Sequence, residues 1–102
     1  MDSNLELISV VVTTYNRKSF LASTVKSILN QSYNNIELII VDNCSNYDFY
    51  NYIGKFNDKR IKAFQNNNNG IISTNRNFGI EHSKGKYISF CDDDDIWDKN
   101  KL

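Results

Sequence analysis

Four short apolar runs punctuate the chain, at residues 8–12, 36–41, 61–64 and 87–91. Ser9-Val10-Val11-Val12 and Leu38-Ile39-Ile40-Val41 are almost unbroken aliphatic or β-branched sequence, as expected of parallel strands covered on both faces. These two strands are therefore expected at the centre of a sheet. Between the runs the apolar spacing lengthens. Phe20/Leu21, Thr24/Val25 and Ile28/Leu29 recur every four residues, opposite Lys18, Lys26 and Asn30, and predict an amphipathic helix. Phe49, Tyr52/Ile53 and Phe56 make a shorter stripe. Residues 73–83 form a third, more polar helical stretch, which Gly85 is expected to end just before the fourth run.

Strands alternating with helices predict an α/β fold, a Rossmann-like parallel sheet of about four strands with helices on both faces and right-handed crossovers. A length of 102 residues suits one small domain. In such sheets ligands bind beyond the carboxyl ends of the strands, so chemistry is expected in the residues that follow each run.

After the first run comes Thr13-Thr14-Tyr15-Asn16-Arg17. Helix-start amides attract anions, Asn16 is suited to cap the helix, and Tyr15 offers a face to a base or sugar; an ordinary helix cap accounts for the same residues. After the second run comes Asp42-Asn43-Cys44-Ser45-Asn46, where a carboxylate and an amide can read a base edge or ribose hydroxyls. A cap at Ser45 or Asn46 for the next helix is the plainer alternative. Asn66, Asn67, Asn68, Asn69 and Gly70 are read as a tight functional loop, with a disordered linker as the alternative.

The fourth run ends in Asp92-Asp93-Asp94-Asp95. Four carboxylates at the tip of a buried strand repel one another, and a hard divalent cation is the usual offset. Such a cation would bridge a diphosphate and neutralise a leaving group. A solvated acidic turn before a helix starting near Trp97 is the alternative. Arg76, early in the third helix, is placed to pair with carboxylate or phosphate in the same cleft. His82, at the end of that helix, is read as a surface residue.

Composition removes other classes. Twelve Lys plus Arg balance twelve Asp plus Glu, so no bulk field argues for nucleic acid or an anionic membrane surface. Cys44 and Cys91 form neither a C-x-x-C pair nor a metal spacing with His82, and are expected as reduced thiols in a cytoplasmic protein. Residues 1–6 are polar and acidic, unlike a signal peptide, and no apolar run approaches the ~20 residues of a membrane span.

Together, residues 9–17, 37–43 and 85–95 resemble family 2 glycosyltransferases of the GT-A fold, supported by Gln31-Ser32-Tyr33, Asn69-Gly70 and Arg76-Asn77-Phe78-Gly79-Ile80. The resemblance spans residues 8–102. It implies an inverting, metal-dependent transfer of sugar from a nucleotide-diphosphate donor, UDP-linked before thymidine-linked, to a glycan or lipid-linked acceptor. It also implies roles. Thr13, Tyr15, Asn16 and Arg17 would line the nucleotide pocket, Asp42 and Asn43 would face the base, and Arg76 would sit by the diphosphate. Asp92, Asp93 and Asp94 match the family's Asp-x-Asp region, with Asp94 and Asp92 as ligands of Mn²⁺ or Mg²⁺, and Asp92 and Asp93 near ribose or cation. Asp95 and Trp97 would finish the turn.

The chain departs from that pattern at Thr13, where many members have Pro, and at Asn43, where many have a second Asp. Family catalytic domains are also well over twice this length. Residues 1–102 are therefore expected to be a single partial domain, the nucleotide-sugar-binding half, with the acceptor site and catalytic base beyond residue 102. Such a half would bind donor weakly or not at all, transfer no sugar, and self-associate through an exposed sheet face or edge. The parent is expected in the cytoplasm or peripherally at the inner membrane surface. Rival readings are a receiver-like domain, which lacks the needed acids after the first and third runs, and a nicotinamide-binding domain, which lacks G-x-G-x-x-G. A third is a non-catalytic nucleotide-binding or scaffold module.

Overall fold

The computed structural model describes residues 5–102; the first four residues of the polar N-terminal stretch lie outside them. Strands β1 (Ile8–Thr14), β2 (Ile36–Asp42), β3 (Ile61–Gln65) and β4 (Tyr87–Asp92) alternate with helices α1 (Lys18–Leu29), α2 (Phe49–Gly54) and α3 (Ile72–Glu81). The sheet is parallel throughout, in the order β3-β2-β1-β4. The two richest apolar runs hold the middle, as expected, and every residue of β2 is buried.

Successive side chains of a strand point to opposite faces, and here both faces are covered. Val10, Val12, Leu38 and Ile40 meet Leu21, Val25 and Ile28 of α1 and Phe49 and Ile53 of α2. Val11, Ile39 and Val41 face the other way, where Phe64 and Phe78 pack on them. One continuous run thus serves two cores, which is why β1 and β2 show no polar alternation. Each such side chain contributes about 1.5–3 kcal/mol when fully buried.

Several local expectations are corrected. Asn16 does not cap α1: it lies at φ 51°, Arg17 takes the cap position without a side-chain bond, and the Asn16 carboxamide oxygen accepts from the Asn46 amide. The residue joins two loops instead. Phe20 is 56 % exposed, so the buried stripe of α1 is Leu21, Thr24, Val25 and Ile28. Neither Ser45 nor Asn46 starts α2; Asp48 does, accepting from the Asn51 amide.

Gly85 does not end α3, whose backbone closes at His82. Glycine is required there for packing, since a Cβ would lie 2.5 Å from Ser9 Oγ and 2.6 Å from Ser9 N. Nor is β4 a buried strand. It is an edge, with Tyr87, Ile88 and Phe90 at 57 %, 39 % and 46 % exposure, and Cys91 is its buried residue.

No helix follows near Trp97. The chain instead folds back over α1, where Thr24 Oγ1 donates to the Asp93 carbonyl at 2.9 Å and Ser27 Oγ accepts from the Trp97 amide at 3.0 Å. Gln31 Nε2 donates to the Asp98 carbonyl at 2.6 Å. Trp97 thereby enters the larger core. Both cysteines are free, and burial pushes the Cys91 thiol up to about 12.

At the amino end of the sheet, Glu37 is buried but fully employed. Its carboxylate accepts from Ser9 Oγ at 2.5 Å, the Lys84 amide at 2.5 Å and Lys62 Nζ at 2.7 Å. Gly85 N donates to the same Ser9 hydroxyl, so the α3–β4 turn is pinned beneath the sheet.

Candidate functional site

At the opposite, carboxyl end the strand tips surround a cleft of about 670 Å³. Thr13, Thr14, Tyr15 and Arg17 come from the end of β1 and its loop, and Asn43 follows β2. Asn68 and Gly70 belong to the β3–α3 loop, Ile72, Asn75 and Arg76 to α3, and Asp92, Asp93 and Asp94 to the end of β4 and its turn. A depression of about 750 Å³ between α2 and the start of β3, lined by Tyr50, Ile53, Arg60 and Ile61 among others, holds no residue from the carboxyl end of a strand.

The loops that frame the cleft depart from ordinary backbone geometry. Asn16, Cys44 and Asn69 take positive φ of 51°, 54° and 52° in the loops after β1, β2 and β3, and Gly70 follows at 82°. Asparagine tolerates the left-handed region better than most residues, whereas cysteine there is strained by about 1–2 kcal/mol. Strain of this kind persists where surrounding contacts impose it. Here Asn16 N donates to Ser45 Oγ and Asn43 Oδ1 accepts from the Asn68 amide, each at 2.8 Å, so the three loops are tied to one another.

Eight of the ten anticipated residues line the cleft: Thr13, Tyr15, Arg17, Asn43, Arg76, Asp92, Asp93 and Asp94. Asn16 and Asp42 do not. Asp42 is wholly buried and turned to its neighbours, accepting from Ser45 N at 2.9 Å, Ser45 Oγ at 2.5 Å and Gln65 Nε2 at 2.9 Å. Its carboxylate organises the loops rather than facing the cleft. Thr14, Asn68, Gly70, Ile72 and Asn75 complete the lining. Of these, Thr14 falls in the loop singled out after the first run, and Gly70 and the asparagine run stand out in the sequence as a loop, whereas nothing along the chain marks Ile72 or Asn75 as site residues.

The four consecutive aspartates are not equivalent. Asp93 points inward, with its side chain 12 % exposed, while the Asp94 side chain is 48 % exposed. Arg17 lies between them, with Nε 3.7 Å from Asp93 and NH1 3.0 Å from Asp94. Part of the repulsion that argued for a metal is thus offset by a guanidinium. Burial raises the Asp93 pKa above the ordinary carboxylate value; the nearby Thr14 hydroxyl and Arg17 oppose the shift, and Asp94 adds to it. Thr14 Oγ1 favours ionised Asp93 by proximity without making a well-formed hydrogen bond.

No group of three or more His, Cys, Asp or Glu side chains able to hold a metal occurs among the described residues. The exposed Asp92 and Asp94 still suit a hard cation of the magnesium type, which is usually held by one or two carboxylates together with substrate phosphates. Arg76, also exposed, lines the same cleft with its guanidinium 5.8 Å from the centre of the Phe90 ring. The cleft therefore combines carboxylates for a cation, guanidinium groups for an anion, an exposed aromatic ring in Tyr15, and a patch of neutral amides at Asn43, Asn68 and Asn75.

Comparison with known proteins identifies the family and the fold. The family described as Glycosyl transferase family 2 matches residues 9–102. The UDP-Glc:alpha-D-GlcNAc-diphosphoundecaprenol beta-1,3-glucosyltransferase WfaP of Escherichia coli is 40% identical over 98 residues, covering 96% of this chain and 39% of that protein. The putative teichuronic acid biosynthesis glycosyltransferase TuaG of Bacillus subtilis is 36% identical over 98 residues, covering 94% of this chain and again 39% of the relative. The chain thus spans about two fifths of the length of these relatives. Among solved structures, S. aureus TarS 1-349 in complex with UDP superposes with a TM-score of 0.83 at 28% identity, over 91% of this chain and 29% of that one. The mannosyltransferase PcManGT from Pyrobaculum calidifontis, in complex with GDP-Man and Mn2+, shares the fold with a TM-score of 0.79 at 20% identity, over 93% of this chain and 29% of that one.

Proposed function

The chain belongs to glycosyl transferase family 2, and from that premise we propose that its cleft is the nucleotide-sugar site of an inverting, metal-dependent glycosyltransferase. The observation that carries the reading is the meeting, in one cleft at the strand tips, of Tyr15, Asn43, Arg17 and Arg76 with the exposed carboxylates of Asp92 and Asp94. In this reading Tyr15 stacks on the base or sugar and Asn43 reads the base edge. Thr13 lines the nucleotide pocket, while Asn16 and Asp42 act indirectly by holding the loops that carry Tyr15 and Asn43. Arg76 pairs with the diphosphate.

Asp94 and Asp92 would hold Mn²⁺ or Mg²⁺ together with diphosphate oxygens, and the cation would offset charge on the departing nucleotide. Arg17 must then release Asp94, while Asp93 stays packed beside Thr14 as a support that also lies near ribose. The donor is proposed to be a UDP-sugar, since TarS is seen with UDP. The acceptor is proposed to be a glycan or a lipid-linked sugar, since WfaP is named for a diphosphoundecaprenol substrate. That chemistry suits the cytoplasmic face of a membrane; no helix among the described residues is long and apolar enough to cross one.

No catalytic base is assigned within residues 1–102. Base and acceptor site are proposed to lie outside them, which leaves the 102-residue chain a single partial domain that binds donor weakly and transfers no sugar. Titrating UDP into the chain, with and without Mn²⁺, and into an Asp94→Ala variant tests the assignment. Weak manganese-dependent binding that disappears in the variant is expected. Equal binding by the variant would remove Asp94 from the metal site, and no binding at saturating UDP would defeat the donor-site reading for this chain.

The open edge of β4, with exposed Tyr87, Ile88 and Phe90, is proposed to drive self-association of the isolated chain. Light scattering over a concentration series should show mass rising above that of the monomer. A monomer at the highest concentrations would refute it.

A further inference from the structure

Three buried side-chain atoms among the described residues lack a hydrogen-bond partner: Thr14 Oγ1, Tyr47 OH and Asn75 Nδ2. Two of them, on Thr14 and Asn75, belong to residues that line the donor cleft. Thr14 has the Asp93 carboxyl beside it. Asn75 has nothing. Its side chain is held in the first half of α3 at 1 % exposure, where an amide N–H without an acceptor opposes folding. Buried polar groups are nearly always paired, so each exception calls for a specific cause.

The other end of this carboxamide is already used. Asn66 Nδ2 donates to Asn75 Oδ1 at 2.9 Å, and Asn66 is itself anchored by its amide to the Asp42 carbonyl at 2.9 Å. With its oxygen engaged, Asn75 presents only a donor. The cleft has a charged side, formed by Arg17, Asp92, Asp93 and Asp94, and a neutral side, where Asn75 lies with Asn43 and Asn68. A cation and a diphosphate belong with the charges. An uncharged heterocycle belongs with the amides.

Resting on the donor-site reading above, we infer that Asn75 is a specificity residue whose Nδ2 donates to the C4 carbonyl of the nucleobase, selecting a 4-keto pyrimidine over a 4-amino pyrimidine. Uracil carries an acceptor at C4 where cytosine carries a donor. Facing a fixed N–H, the amino group of cytosine meets a second donor, and both are left unpaired in a dry site. A site built around a hydrogen bond rejects the analogue that cannot make it more strongly than a purely apolar pocket does. Asn66 is the positioning residue, because its bond to Oδ1 leaves Nδ2 as the unpaired end of the Asn75 carboxamide.

The test measures UDP and CDP affinity in Mg²⁺ by ligand-observed NMR, which registers weak binding, for the chain and for Asn75→Ala, Asn75→Asp and Asn66→Asp. The unaltered chain should prefer UDP over CDP by about tenfold or more. Asn75→Ala should bring that ratio close to one, and Asn75→Asp, which offers only acceptors, should erase or reverse it, each keeping the dispersed spectrum of the folded chain. Asn66→Asp leaves only acceptors at position 66, forces the Asn75 amide to turn, and should erase or reverse the preference with Asn75 itself intact. A ratio near one in the unaltered chain, or one unchanged by either Asn75 substitution, would overturn the inference while leaving the donor site standing. Failure of the unaltered chain to bind UDP at all would instead overturn the donor-site reading and this inference with it.

Discussion

Glu37 and Asp93 are both buried carboxylates, at opposite ends of one sheet, yet their surroundings differ in kind. Glu37, at the amino end, accepts from a hydroxyl, a backbone amide and an ammonium group. Burial alone would raise its pKa, but the bonds to Lys62, Lys84 N and Ser9 outweigh burial and leave it below the ordinary glutamate value. Asp93, at the carboxyl end, is desolvated with fewer partners, and its pKa is raised. The same division runs through the backbone, where three of the four non-glycine residues with positive φ among the described residues, Asn16, Cys44 and Asn69, lie in loops at the carboxyl end. One end of the sheet is finished as a structure, and the other keeps unmet polar groups and strain. Proteins tolerate such deficits where a ligand will meet them, and compensate with stability elsewhere.

The largest effect should come from breaking the finished end. Glu37→Ala removes the acceptor shared by Ser9, Lys62 and Lys84 and should cost about 3 kcal/mol in urea unfolding at neutral pH. Since Glu37 lies at the far end of the sheet from the cleft, UDP affinity of the folded variant should not change. A loss below about 1 kcal/mol would deny that this network anchors the α3–β4 turn.

The unfinished end should answer in the opposite direction. Asp93→Asn removes a charge that burial disfavours and should stabilise the chain by about 1 kcal/mol, at the expense of nucleotide binding. If the variant is instead destabilised, the Arg17 pairing outweighs desolvation and the contrast between the two carboxylates fails.

The smallest effect is the pH dependence of these differences, within about 1 kcal/mol per group. The folded state holds the Glu37 proton more loosely than the unfolded chain does. Its contribution is therefore present above the unfolded glutamate pKa and is lost as pH falls through the lower, folded value. Asp93 has the reverse sign: its contribution is fully present below the unfolded aspartate pKa and is lost as pH rises through the raised, folded value. Urea midpoints across the acidic range should accordingly show the advantage of Asp93→Asn shrinking as pH falls. An advantage that is flat with pH would mean that Asp93 does not titrate differently on folding.

How much of this was legible in the sequence varies with the range of the interaction involved. The strands, their order along the chain and the placement of chemistry at their tips follow from apolar periodicity, and eight of ten anticipated site residues do line one cleft. Cap positions were less legible, because Asn16 is a good capping residue by type yet is recruited by Asn46, thirty residues away. The edge position of β4 could not be read either. Its run Tyr87-Ile88-Ser89-Phe90-Cys91 is as apolar as a central strand, and only the pairing order leaves it exposed.

By itself, then, the sequence determined the alternation of elements, the two-sided burial of β1 and β2 and the acidic turn after β4, because each rests on residues near one another along the chain. Tertiary structure alone decided that Arg17 reaches Asp94 across 77 residues, that Glu37 is satisfied by three separate segments, and that Asn75 keeps an unpaired N–H in the cleft. Whether a polar group is paired or left waiting depends on partners that only the closing of the fold brings within hydrogen-bonding distance.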